Sequence, residues 1–349
     1  MSFGLTVLIF LLVLSVLVFA HELGHFTTAK MAGIKVQEFG FGYPPRVFGF
    51  KRGETLYSIN LLPLGGFVKM LGENASPGDP EAFASKSRRV RAAVLIAGSA
   101  MNLALAPILY SASFMVGEPV PCETCETVQV YDVRPGEPAS RGGMREGDVI
   151  RSIGGERVRT AEDVRRLVRS APEREVPVVV GRGGQEVTLN LTPKTVTNEN
   201  QGAVGIQLGP EFVLTQYPIW EAIPLGFQRT GDVLRLFFNG LRQMAMREVD
   251  AELSGPVGIA RETGRAAAAG PTYLLQFTAF LSLNLAVFNM LPIPGLDGAR
   301  LLFVLIEGAR RGRRVNPQVE GAIHLAGMLL LLSLMLYISV NDVRKLVPG

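Results

Sequence analysis

Four stretches of the chain hold no charged residue: Met1–Ala20, Ala92–Gly117, Ala266–Leu296 and Gly321–Val340. Each is long enough to cross a hydrocarbon core of ~30 Å as a helix. The first could be a cleaved leader, but no basic segment precedes it and no small-x-small site lies before His21, so it predicts a retained membrane helix. The third ends in Pro292, Pro294 and Gly295, with Gly298 just beyond. These residues sit badly in a regular helix and predict a break. Broken backbone at membrane depth is tolerated only where protein covers it or where it lines a watery cavity.

Between these runs the period of the pattern changes. Thr55–Glu73, TLYSINLLPLGGFVKMLGE, has short apolar and β-prone stretches with a hinge at Gly65-Gly66, a hairpin-like signature. Further on, Gly147-Asp148-Val149-Ile150 predicts a buried strand after a turn, and Thr160–Val168 predicts a helix started by a threonine cap with Asp163 near N3. VPVVVGRGGQEVTLNLTP then reads as a hairpin with a Gly-Gly turn. Val233, Leu236, Phe237, Leu241 and Met244 recur at helical spacing opposite Asp232, Arg235, Asn239 and Arg242, which predicts an amphipathic helix. Its expected place is the outer membrane interface, with packing against the small domain as the alternative.

The 349 residues are 48% hydrophobic with a net charge of +4, and the position of the charge says more than its sum. Lys30–Arg91 hold ten Lys/Arg against five acidic residues, and RRGRR occupies Arg310–Arg314. The positive-inside bias assigns both loops to the cytoplasm; both termini and the segment from about Glu118 to Arg265 then lie outside. Juxtamembrane charge accounts for these clusters without a nucleic-acid partner. Cys122 and Cys125, in PCETC, are the two cysteines of the chain. The oxidising side of a membrane allows them a disulfide, and a metal site there would need ligands that no other cysteine supplies.

The chemistry concentrates at the end of the first run. His21-Glu22-Leu23-Gly24-His25 is H-E-x-x-H. On a helix the i, i+4 spacing brings both imidazoles to one face, where they can ligate one Zn2+ and leave Glu22 beside a water that the metal activates. Two surface histidines would be the bland reading, but ionisable residues within a spanning helix are costly and functional by default. A catalytic zinc takes three protein ligands and keeps one position open. Two candidates exist for the third. Asp297 lies at the predicted helix break, and His324 lies in the fourth apolar run. Asp297 is favoured, because a short acidic side chain at a break can be aimed inward.

The chain resembles the bacterial intramembrane zinc metalloproteases of the site-2 protease family, in the subgroup with an extracytoplasmic PDZ domain. The matching residues are H-E-L-G-H, PLGGFVKM (Pro63–Met70), GSAMN (Gly98–Asn102), SGPVGI (Ser254–Ile259) and NMLPIPGLDG (Asn289–Gly298). Ser99 stands where that family often has proline. VYDVRPGEPASRGGMREGDVIRSIGGERVRTAEDVRRLV resembles a bacterial PDZ module. It could capture a peptide terminus by β-augmentation or act as a bulky filter, and its residues leave that open. The resemblance implies Zn2+ as cofactor, with His21, His25 and Asp297 as ligands and Glu22 as general base. It implies substrate contacts at Asn102, at Asn289 and in the Gly65-Gly66-Phe67 loop, which lends an edge strand to the unwound substrate.

The expected fold is a polytopic α-helical membrane protein with four transmembrane helices, one extracytoplasmic α/β PDZ domain and a membrane-associated cytoplasmic β-hairpin. The expected divisions are transmembrane helix 1 at 1–30, a cytoplasmic loop at 31–91, helix 2 at 92–117 and the PDZ domain at 118–214. A helical linker at 215–265, helix 3 with Leu296-Asp297-Gly298 at 266–308, a loop at 309–319 and helix 4 with a tail at 320–349 complete them. By the same resemblance the protein sits in the bacterial inner membrane and cuts a single-span membrane protein. That substrate is an anti-sigma factor already trimmed outside by a site-1-type protease, or a signal-peptide remnant. The different-class alternative is a proteolytically silent PDZ scaffold, or a chaperone-like membrane adaptor, that keeps the metal fold.

Overall fold

The computed structural model describes residues 2–73, 78–122, 127–195, 203–246 and 255–346. The chain divides into two compact units, Gly117–Gln216 and the two flanking segments Met1–Val116 and Tyr217–Gly349. Among the described residues four helices are long and apolar enough to cross a membrane: Phe3–Met31, Arg88–Val116, Pro271–Asn289 and Pro317–Asp342.

Helix α1 (Phe3–Met31) buries Val13, Leu17, Gly24, His25 and Ala29, and leaves Leu5, Leu8, Leu12 and Phe19 exposed. Strands β1 (Val36–Arg52) and β2 (Thr55–Met70) follow, joined at Gly53-Glu54 with Gly53 at φ 62°. Each long strand is used twice. Glu38–Phe41 lie beside Leu56–Ile59 and also beside Lys69–Gly66, so the sheet is four segments wide. Residues 66–70 form one edge, paired only with the start of β1 among the described residues. The turn therefore differs from the expected Gly65-Gly66 hinge, which lies inside β2. Val36–Arg52 holds Gly40, Gly42, Gly49, Pro44 and Pro45, gives no strand signal alone, and owes its strand to pairing.

Helix α2 (Arg88–Val116) runs back beside α1. At their contact a Cβ on Gly24 would lie 2.2 Å from the Ala97 carbonyl oxygen, so the absence of a side chain sets the spacing. Pro107 sits inside α2, and the Ser111 hydroxyl donates to the Pro107 carbonyl at 2.7 Å.

The second unit opens with β3 (Glu118–Pro121) and closes with β10 (Phe212–Thr215), which pair antiparallel. Between them come β4 (Val128–Val133), α3 (Pro138–Arg141), β5 (Val149–Ile153), β6 (Glu156–Arg157), α4 (Ala161–Arg169), β7 (Val176–Arg182), β8 (Gln185–Leu191) and β9 (Ile206–Pro210). The sheet order is β8-β7-β5-β4-β9, with β6 on β5. Val130, Ile150, Val158, Val178 and Val180 are its fully buried centre; each contributes ~1.5–3 kcal/mol by leaving water. Thr160 and Asp163 form a reciprocal capping box at the start of α4. Cys122 is not a free thiol, and Cys125 lies outside the described residues.

The first unit resumes with α5 (Ile219–Ala245). This helix packs lengthwise along α2. Tyr217 N donates to Phe114 O, Gly226 lies against Pro107 and Ser111, and Val233 and Leu234 pack beside Ala106 and Tyr110. The buried stripe is Ala222, Gly226 and Thr230, small residues that an apolar-face reading passes over. Helix α6 (Pro256–Ala269) follows as a separate element, then α7 (Pro271–Asn289), α8 (Asp297–Ala309) and α9 (Pro317–Leu346). Ser254, the first residue of the SGPVGI match, lies outside the described residues. The expected third helix is thus α7 and α8, parted at Met290–Leu296.

Asp148 anchors the second unit. Its buried carboxylate accepts from Arg145 N at 2.9 Å and from Arg182 Nε and Nη2 at 2.7 Å each. Burial alone would raise this carboxyl; the Arg182 ion pair and the backbone bond outweigh it and hold it below the usual range. Asp148→Asn should cost about 2 kcal/mol at neutral pH. A depressed folded-state pKa stabilises above the unfolded value of ~3.9 and loses that stabilisation as pH falls through the lower folded value. Hydrogen exchange of β4 and β7 amides should therefore separate wild type from Asp148→Asn at pH 7. The gap should close as the pH falls through the lowered folded-state value.

Candidate metal centre

His21 and His25 face the same side of α1, with Nε2 atoms 3.1 Å apart. Asp297 Oδ2 lies 3.0 Å from His21 Nε2 and 3.1 Å from His25 Nε2. Asp297 is the first residue of α8, and Leu296 before it is extended. The chain folds tightly at that point: a Cβ on Gly298 would lie 2.3 Å from the carbonyl oxygens of Met290 and Leu291. The break thus returns over the start of α8 and turns Asp297 toward α1.

His25 Nδ1 is 2.8 Å from Val94 O on α2, a contact in which the imidazole donates. With the proton on Nδ1, the Nε2 of a neutral ring is a bare lone pair, and its approach to a carboxylate oxygen calls for a shared proton or a metal cation between them. A shared proton could serve one of the three pairs, whereas a divalent cation serves all. Ligand bonds of about 2.0–2.1 Å around a tetrahedral zinc separate donors by roughly 3.3 Å, close to the observed spacing. His21 Nδ1 is buried without a partner among the described residues.

Gly98 completes this geometry from α2. A Cβ there would stand 2.3 Å from His25 Nε2 and 2.8 Å from His21 Nε2, on the donor atoms themselves. One turn further along α2, Asn102 is fully buried, and both its side-chain polar atoms lack partners among the described residues. They face a cavity of about 270 Å³ whose polar lining includes His21, Glu22, Asn102, Asn289 and Asp297. Gly65 and Gly66 form its β2 wall, and a Cβ on Gly66 would lie 3.2 Å from Glu22 Cγ. Among the expected site residues Phe67 stands apart: its ring packs on Gly40 and stacks on Tyr43 at 6.5 Å. His324 lies outside the donor cluster, with Nδ1 3.2 Å from Gly295 N.

Two residues of this site escape a reading of the sequence. Tyr43 lines the cavity from the β1 segment that carried no strand signal. Gly98 could have been found, since it and Asn102 are four apart on a helix and so share a face.

Two adjacent histidines, a carboxylate converging on them and a glutamate in the same cavity, all among helices built to span a membrane, define an intramembrane metallopeptidase. The chain belongs to peptidase family M50, whose sequence model matches residues 9–334. It is 31% identical to the regulator of sigma-W protease RasP of Bacillus subtilis, over 98% of this chain and 99% of that one. It is likewise 31% identical to the zinc metalloprotease RasP of Geobacillus kaustophilus, over 97% and 98%. Among solved structures, the PDZ domain of an SdrC-like protein from Listeria monocytogenes matches 27% of this chain and 92% of its own, at 18% identity and a TM-score of 0.20. The family is zinc-dependent, and the protein is a zinc metalloendopeptidase of the site-2 protease type.

Gly98→Ala should lower zinc affinity by about tenfold or more, because the new methyl occupies the donors' space. Asp297→Asn should lose zinc more completely by removing a charged donor. Zinc content after dialysis against a mild chelator checks both, and full retention by either variant counts against this geometry.

Proposed function

We propose that this protein hydrolyses a peptide bond in the transmembrane segment of a single-span protein of the bacterial inner membrane. His21, His25 and Asp297 would hold the zinc, and Glu22 would serve as general base. The observation that carries this reading is a cluster of three convergent donors, two of which, His21 and Asp297, line one cavity with Glu22 and the glycine wall of β2.

Zinc bound there supplies Lewis acidity and brings the pKa of water toward about 7. Glu22 takes the proton from the attacking water and delivers it to the leaving amine. Asn102 and Asn289 offer amides that both donate and accept, which suits the polar backbone of a substrate. A helix of about 10–12 Å diameter cannot enter a cavity of this size intact. The substrate must be extended, and the edge of β2 from Gly66 to Met70 offers an unwound segment new backbone partners.

The basic loops lie in the cytoplasm and both termini outside, as the positive-inside bias assigns them. Exposed Val47, Phe48, Leu61 and Leu62 on the β1–β2 sheet suit contact with the bilayer. The Bacillus subtilis relative is named for regulation of sigma-W. An anti-sigma factor shortened outside by a site-1-type protease is accordingly the proposed substrate class, with signal-peptide remnants as the other.

Glu22→Gln should keep its zinc and lose turnover of a helix-destabilised transmembrane peptide by about 10²–10⁴-fold. Comparative proteomics of membranes bearing wild type or Glu22→Gln should show the uncut substrate accumulating with the variant. Undiminished cleavage by zinc-loaded Glu22→Gln would sink the assignment of the base.

A further inference from the structure

The chain has three histidines, and the third lies outside the metal centre. His324 is on α9, facing the break between α7 and α8. That break holds two prolines and has few backbone bonds of its own, Ile293 N to Leu291 O and Leu296 N to Ile293 O. Gly295 N–H donates instead to His324 Nδ1 at 3.2 Å. Helix α9 grips the same segment on either side of that bond. A Cβ on Gly327 would lie 2.2 Å from Pro294 O, and one on Gly295 would lie 3.2 Å from Met328 N. Accepting at Nδ1 leaves the ring proton on Nε2, which is buried without a partner among the described residues. The Phe303 ring of α8 packs beside it at 5.6 Å.

Helix α9 is otherwise the least covered of the candidate spans, with 6% of its apolar window buried. A second polar anchor among the described residues is Asp342, whose Oδ2 accepts from Gly255 N and Gly258 N at 2.9 and 3.0 Å at the start of α6. One of these two anchors therefore holds the segment that ends in Asp297. Gly295 and Leu296 also line the cavity beside Asp297.

We propose that His324 is a positioning residue for the metal site: its Nδ1, by accepting the Gly295 N–H, fixes the broken segment that aims Asp297 at the two histidines. The inference rests on Asp297 being a metal ligand. It gives α9 a defined part in the active site without contact to metal or substrate. Without the acceptor, Gly295 N–H has no partner, and the turn carrying Asp297 can drift by the few tenths of an ångström that a metal site does not tolerate.

The test uses the full chain in detergent, loaded with zinc or with cobalt(II), whose visible absorption reports donor geometry. His324→Phe keeps an apolar ring but no acceptor. It should lower zinc affinity by about tenfold in chelator competition, change the cobalt spectrum, and reduce kcat with little change in KM. His324→Asn, whose Oδ1 can stand where Nδ1 stood, should restore all three. Asp297→Asn, measured in parallel, tests the ligand assignment itself: full zinc retention there would overturn both that assignment and this inference. Zinc lost in Asp297→Asn but wild-type affinity, spectrum and kcat in His324→Phe would overturn the positioning role alone, as would equal losses in His324→Phe and His324→Asn. Should His324→Phe fail to fold, His324→Ser replaces it. Equal zinc affinity in His324→Ser and His324→Asn would likewise overturn the proposal.

Discussion

Three potential ligand atoms stand within about 3 Å of one another among the candidate membrane helices, and one divalent cation at their centre would satisfy all three at once, where a shared proton serves only one pair. Unpaired, a carboxylate and two imidazoles facing each other in a low-dielectric interior would repel and remain desolvated. The surrounding structure serves to keep them together. Helices α1 and α2 must approach until Gly24 meets the Ala97 carbonyl and Gly98 meets the imidazoles. Any side chain at either glycine would part the helices or displace a donor.

A continuous helix could not deliver the third donor in this way. Asp297 must come from the end of an element, turned inward, and Met290–Leu296 provides that end by interrupting α7. The interruption removes regular backbone partners at a depth where water is scarce, so each freed N–H needs another acceptor. Part of the answer is local, through turns within the segment, and part comes from α9. Catalytic geometry and backbone satisfaction are thus one problem here. The same proline and glycine residues that aim the carboxylate create the need for a clamp.

The centre was legible where chemistry and spacing coincide. His21, Glu22 and His25 announce themselves because charge in a spanning segment is costly and because four residues make one helical turn. Asp297 was legible through its neighbours, since Pro292, Pro294 and Gly295 mark the break. The sheet was less so: β1 is rich in glycine and proline, and its first half exists through pairing with residues well along the chain, such as Phe39 with Val68. Nor does a glycine state what it faces, so Gly98 became meaningful only once α1 lay beside it. In α5 the apolar positions do not say whether lipid or protein covers them, so its packing along α2 through Ala222, Gly226 and Thr230 was not legible.

What holds α8 from its far side also bears on the metal. Arg91 Nη2 donates to Glu307 Oε2 at 2.7 Å with both side chains buried, and Arg314 Nε lies 3.5 Å from the same oxygen. Arg300, one turn after Asp297, pairs with Glu73 just past the end of β2. The buried Arg91–Glu307 pair adds little net stability against an apolar replacement of equal size, because desolvation offsets the attraction. The value of these pairs lies in direction, since a charge pair satisfies itself in one register only. Rotation of α8 by a single residue would part Glu307 from Arg91 and Arg300 from Glu73, and would turn Asp297 away from the histidines. The link from Arg300 to Glu73 also joins the helix that supplies a metal donor to the sheet whose edge faces the cavity. Cleavage requires metal and extended substrate to be in register with each other, and this pair ties the two together.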